Sequence, residues 1–186
     1  MTLTLIIGNK NYSSWSMRPW FAMKVAGIAF AEEVISLEAS DFKARVSKVS
    51  GTGKVPVLSD GGIHVWESLA ILEYLAEKFP AAGFWPADPA ARAHARTVAA
   101  EMHAGFAALR RNMPMDITHD RRRESRAELV KDEIARVAAI WNEARSRFGE
   151  KAGGPYLYGA FGAADAMYAP VATRFRTYGV ALDSVS

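Results

Sequence analysis

Four short stretches that read as β-strands lie before Pro80, and none lies after Pro89. This asymmetry constrains the fold more than any single motif does. A sheet can form only from the first part, so the rest must bury its apolar residues helix against helix. Residues Thr2 to Ile7 are β-branched and apolar until Gly8-Asn9-Lys10-Asn11 breaks them. Glu33 to Leu37 alternates like a strand. Val55 to Leu58 and Ile63 to Trp66 flank Asp60-Gly61-Gly62, a hairpin signal. Between them, Met17, Trp20, Phe21 and Val25 predict a helix from Ser16 to Gly27, with Pro19 in its first turn. Ser40 to Arg45 predicts a short capped helix, and Leu69, Leu72 and Leu75 predict one over Ser68 to Lys78 with Ser68 as the cap. The order β-α-β-α-β-β-α over residues 1–79 implies a small sheet with helices packed on it.

Residues 80–89, with Pro80, Gly83, Pro86 and Pro89, form a linker. Beyond it, Ala90 to Met113, Arg123 to Phe148 and Ala163 to Thr177 read as helices, the last holding Pro170. Asp132/Arg136 and Glu143/Arg147 stand at i,i+4 spacing for ion pairs. The fold class is therefore α/β followed by all-α, with a helical bundle over residues 90–186.

Several chemistries are poorly supported. The chain has no cysteine, so it carries no thiol of its own, no disulfide and no thiolate metal site. Its four histidines are too dispersed for a local metal motif, so no metal is expected. Arg110-Arg111 and the run Arg121-Arg122-Arg123 read as solvated helix ends, because no nucleic-acid-binding fold accompanies them. No apolar run is long enough for a membrane span, and the N-terminus lacks the basic start of a leader. A net charge of +3 is compatible with anionic small molecules.

Three places carry chemistry. Ser13-Ser14-Trp15-Ser16 enters the first helix, where unpaired N–H groups favour negative charge. A small-molecule thiol, whose ordinary pKa lies about 1.5 units above neutrality, can be held there as its thiolate; a plain helix cap is the alternative. Lys54-Val55-Pro56 opens a strand with a proline suited to a cis bond, which would expose the Val55 backbone to a peptide ligand; a plain edge-strand proline is the alternative and, for this motif alone, the better one. Glu67-Ser68 starts a helix, where a carboxylate and an ammonium can be held side by side, or where Ser68 is simply a cap.

In this order and setting the three resemble the cytosolic glutathione transferase superfamily. That family joins a thioredoxin-like N-terminal domain through a linker to an all-helical domain. Ser13-Ser14-Trp15-Ser16-Met17-Arg18 looks most like the zeta-class Ser-Ser-x-Ser-x-Arg signature. By this resemblance Ser13 activates the glutathione thiol, while counting back from Arg18 as in delta-like enzymes selects Ser14. The resemblance also implies that Val55, beside Pro56, pairs with the cysteinyl backbone, that Glu67 and Ser68 hold the γ-glutamyl end, and that Lys54 lies near the ligand.

The implied activity is addition of glutathione to small, largely apolar electrophiles, by a cytoplasmic homodimer serving detoxification. A non-catalytic binding module and a glutathione-dependent isomerase are the alternatives. Trp15 stands where zeta enzymes carry cysteine, which makes the isomerase less apt. Trp15, Met102, Phe106 and Met113 are the acceptor-site candidates, the last three equally suited to core packing. Gly162 replaces the usual Ser/Thr cap before Asp165, and the chain stops at Ser186, one or two helices short of most members.

Overall fold

The computed structural model describes residues 3–182. The chain divides into two compact units between Phe84 and Trp85. The first contains β1 (Leu3–Ile7), α1 (Ser14–Val25), β2 (Phe30–Val34), α2 (Phe42–Val46), β3 (Val57–Asp60), β4 (Ile63–Trp66) and α3 (Ser68–Lys78). Thr2, expected to open the first strand, lies outside the described residues.

The sheet order is β2-β1-β3-β4. β1 runs parallel to β2 and antiparallel to β3, and β4 closes an antiparallel hairpin on β3. This is the expected thioredoxin-like arrangement. β1 is internal to the sheet, and the consecutive Leu5, Ile6 and Ile7 are all buried, as a strand covered on both faces requires. Ile6, Ile35, Val46 and Val57 form one apolar cluster, packed by Phe42, Val49 and Val55. Ile71, Leu72 and Leu75 of α3 are fully buried, each side chain of that size contributing about 1.5–3 kcal/mol. Asp60 pairs with Ile63, so Gly61 and Gly62 make a two-residue turn with φ of 56° and 95°. A turn with positive φ at both positions matches the strand twist and favours glycine.

The first unit departs from expectation in three places. β2 spans Phe30–Val34 rather than Glu33 to Leu37, because Glu32 is fixed by Lys10, Lys24 and the Trp20 indole. Charged residues are tolerated there because β2 is an edge strand. α1 begins at Ser14, so Pro19 lies past the first turn, inside the helix. Ser68 is the first helical residue of α3 rather than its cap; Glu67 holds the cap position and makes no side-chain cap bond.

The second unit contains α4 (Pro89–Ala104), α5 (Ala107–Asn112), α6 (Lys131–Ala144), α7 (Glu150–Ala152) and α8 (Ala163–Tyr178). The helix expected over Ala90 to Met113 breaks at Gly105 and at Phe106, whose φ is 60°. Glu133 accepts from the backbone N–H groups of Ala108 and Leu109, giving α5 partners for its own N-terminus. The helix expected from Arg123 starts at Lys131, after 3₁₀ turns at Arg122–Glu124 and Arg126–Val130. There Arg121 pairs with Asp116 and Glu124, and Arg126 with Glu124, so local acids offset the basic run.

Arg136 reaches Glu101 on α4 at 2.7 Å rather than Asp132, whereas Glu143 and Arg147 do pair. Tyr168 of α8 donates to the Val98 carbonyl of α4 at 3.1 Å. Asp165 accepts from the N–H groups of Gly162 and Leu157 at 2.8 and 2.9 Å. A cap glycine therefore still leaves the carboxylate fully engaged. Burial pushes this carboxyl up to about 6, against the pull of those backbone bonds.

Candidate active site

The loop from β1 to α1 is organised by backbone bonds and two serines. Asn9 O accepts from the N–H groups of Tyr12 and Ser13 at 3.1 and 2.9 Å. Ser13 and Ser16, three residues apart, face each other across the first helical turn. Ser13 Oγ donates to Ser16 Oγ at 2.8 Å, and the Gly8 N–H donates to the same oxygen at 3.1 Å. Ser13 and Ser16 are both buried. A Cβ on Gly8 would stand 3.1 Å from the Ser13 Cβ and 2.8 Å from Leu37 Cδ2, so the glycine permits this close approach. Ser14, the first residue of α1, is half-buried, and its hydroxyl has no hydrogen-bond partner among the described residues.

A cavity of about 240 Å³ opens beside this loop. Trp15, Thr52, Lys54, Val55, Pro56 and Glu67 line it. The Val55–Pro56 peptide bond is cis, as its place at the head of β3 suggested. Glu67 has φ 70° and ψ 123°, a conformation that costs a non-glycine residue about 1–3 kcal/mol and collects at functional sites. The cavity thus presents an ammonium from Lys54 and a carboxylate from Glu67, and α3 starts immediately after Glu67. That combination suits a small ligand carrying both signs of charge.

Lys54, Val55, Pro56, Glu67 and Trp15 are brought together, while Ser13, Ser14 and Ser68 lie off the lining. Ser68 is fully buried, and its Oγ accepts from Arg18 Nη1 at 3.2 Å. Arg18, itself buried, also lies over Trp15, with Cζ 4.3 Å from the ring centroid. Sequence reasoning missed Thr52, whose Oγ1 is 2.9 Å from Ser50 Oγ. Its place two residues before Lys54, between Gly51 and Gly53, was the available signal.

Residues 12–78 match the family profile of the glutathione S-transferase N-terminal domain. A glutathione transferase homolog from Burkholderia, solved with bound glutathione, superposes with a TM-score of 0.66 at 25% identity. That match covers 94% of this chain and 82% of the other. The first unit belongs to the glutathione S-transferase N-terminal domain family.

Among similar proteins, a probable maleylacetoacetate isomerase from Caenorhabditis elegans is 32% identical over 94 residues, which are 50% of this chain and 44% of that protein. Glutathione S-transferase theta-2 from Mus musculus is 42% identical over 72 residues, 38% of this chain and 30% of that protein. The chain thus spans less than half the length of these two relatives. In the second unit, Met102, Phe106 and Met113 are buried at 1%, 7% and 0% exposure. Among the described residues no cluster of three or more His, Asp or Glu is placed to hold a metal ion, and no helix is long and apolar enough to cross a membrane.

Proposed function

We propose that this chain is a glutathione transferase that binds the tripeptide in the cavity between Trp15 and Glu67 and adds its thiolate to small, largely apolar electrophiles. One observation carries the reading: Lys54, Val55, cis-Pro56 and Glu67, from separate places in the sequence, line one cavity with Trp15 of the first turn of α1. Glu67 holds the ammonium of the γ-glutamyl end, and the first-turn N–H groups of α3 receive its carboxylate. The Val55 backbone pairs with the cysteinyl residue. Lys54 stands beside the remaining negative charge.

Ser14 is the better candidate for thiol activation. It opens α1, is partly exposed and keeps an unengaged hydroxyl, whereas the Ser13 proton is directed at Ser16. In the reaction the thiol loses its proton to solvent and Ser14 donates a hydrogen bond to the sulfur. The sulfur lone pair then forms the C–S bond as the electrophile's leaving group departs with its electrons. Holding the thiolate against the acceptor supplies the proximity advantage. Cytoplasmic location, homodimerisation and a role in detoxification complete the proposal and rest on the family alone.

Glutathione titration by calorimetry, with turnover of a chlorinated aromatic test electrophile, decides the matter. Binding with conjugation is expected. Binding without conjugation of any electrophile class would leave a non-catalytic module, and no binding would remove the glutathione reading altogether.

A further inference from the structure

Arg18 is only 2% exposed, and burying a guanidinium is costly unless its contacts compensate. Two of its contacts reach the two helix starts beside the cavity. Nη1 donates to Ser68 Oγ at 3.2 Å, and Cζ lies 4.3 Å from the Trp15 ring centroid. Trp15 belongs to the first turn of α1 and lines the cavity directly. Ser68 is the first residue of α3 and follows Glu67, which lines the same cavity. One side chain therefore touches both helix starts that border the cavity.

We infer that Arg18 is a positioning residue. It braces Trp15 against Ser68, so that the aromatic wall and the Glu67 end of the cavity keep a fixed separation. The inference takes its ligand from the glutathione reading above, but the brace itself does not depend on it. A planar, forked guanidinium stacks its face on the indole while its edge donates to the hydroxyl, and the shorter-reaching point charge of a lysine does not reproduce that pair of contacts from the same position. The brace gives the buried Ser68 hydroxyl a task other than ligand contact. It also makes ligand affinity depend on a residue outside the cavity lining.

The test uses Arg18→Lys, Ser68→Ala and their combination in the full chain. Glutathione titration reads affinity. Fluorine NMR of protein grown on 5-fluorotryptophan, with the Trp15 signal assigned through Trp15→Phe, reads the wall. Each single change should weaken glutathione binding about tenfold. The double variant should weaken it little further, because both changes cut one connection. The Trp15 resonance should shift in Ser68→Ala, because the brace joins that serine to the ring through Arg18. Circular dichroism checks that the variants fold, and if Arg18→Lys does not, Ser68→Ala carries the test alone. An unmoved Trp15 resonance in Ser68→Ala, or losses of affinity that simply multiply, overturns the brace. A wild-type chain that ignores glutathione while the Trp15 signal still shifts would keep the brace and sink the cavity's assignment.

Discussion

The two helix starts that border the cavity look alike in sequence and differ in structure. Each offers a serine suited to capping, but Ser13 at the α1 cap makes no side-chain cap bond and Ser68 lies inside α3, with Glu67 at the cap. At α1 the Ser13 hydroxyl turns to Ser16, which leaves Ser14 as the partly exposed hydroxyl at the start of the helix. At α3 the Ser68 hydroxyl is buried under Arg18, and the group presented to the cavity is the carboxylate of Glu67. Similar local sequence signals thus yield a hydroxyl site at one helix and an anionic site at the other. The partner that decides each outcome lies elsewhere: Ser16 one turn along, Arg18 fifty residues away.

The sharpest break of this comparison is at α1. Ser14→Ala should lower turnover of a test electrophile about 10²-fold with glutathione binding kept, the loss typical of one donor to a developing negative charge. Ser13→Ala should cost much less in the same assay. Equal turnover in both variants and the wild type would end the assignment of either serine.

At α3, Ser68→Ala leaves a buried guanidinium N–H without its partner. It should lower unfolding free energy by about 1–3 kcal/mol in urea titration, against about 0.5–1.5 kcal/mol for Ser13→Ala. A larger loss for Ser13→Ala would reverse the order drawn here. Glu67→Gly should move stability the other way, raising it by about 1 kcal/mol as the positive φ becomes unstrained. The same variant should bind glutathione about tenfold more weakly, because the carboxylate is gone. Stability that falls in Glu67→Gly would mean the residue is not strained.

The smallest effect contrasts the two units in acid. Glu32 is held down to about 2, chiefly by its hydrogen bond from Lys10, so the stability it lends is present above its ordinary value near 4.5 and lost as pH falls toward 2. Asp165 is raised to about 6 by burial, so its proton binds more tightly in the folded chain. Its contribution is full below pH 3.8 and is lost as pH rises through 6. Asp165→Asn should therefore flatten the stability profile between pH 4 and 6, and Glu32→Gln should flatten it below pH 4.5, both read by urea titration. An unchanged slope between pH 4 and 6 in Asp165→Asn would deny the burial effect.

Features governed by near neighbours were legible in the sequence. The strand Ile63–Trp66, the Gly61-Gly62 turn and the helix Ser68–Lys78 follow from local periodicity and turn chemistry. Features governed by distant partners were not. β2 lies earlier than its alternation suggests because Lys10, Lys24 and Trp20 converge on Glu32. The long Ala-rich helix breaks because Glu133, from another helix, serves the N-terminus of α5. The cavity itself was half legible. Its Lys54-Val55-Pro56 and Glu67 lining could be named in advance, but the burial of Ser68 under Arg18 could not, since a serine before an apolar helix reads the same whatever covers it.

Gly8 has a bearing on how this chain would be mapped by saturation mutagenesis. It offers no functional group, yet any side chain there would press on the Ser13 Cβ and on Leu37, and its N–H steadies Ser16. In an activity screen a substitution there would act through the shape of the serine loop, and so would be scored beside the reactive residues. Distinguishing the two kinds of intolerance needs an assay of folded protein beside the assay of turnover, because at Gly8 the shape of the serine loop is preserved by an atom the residue lacks.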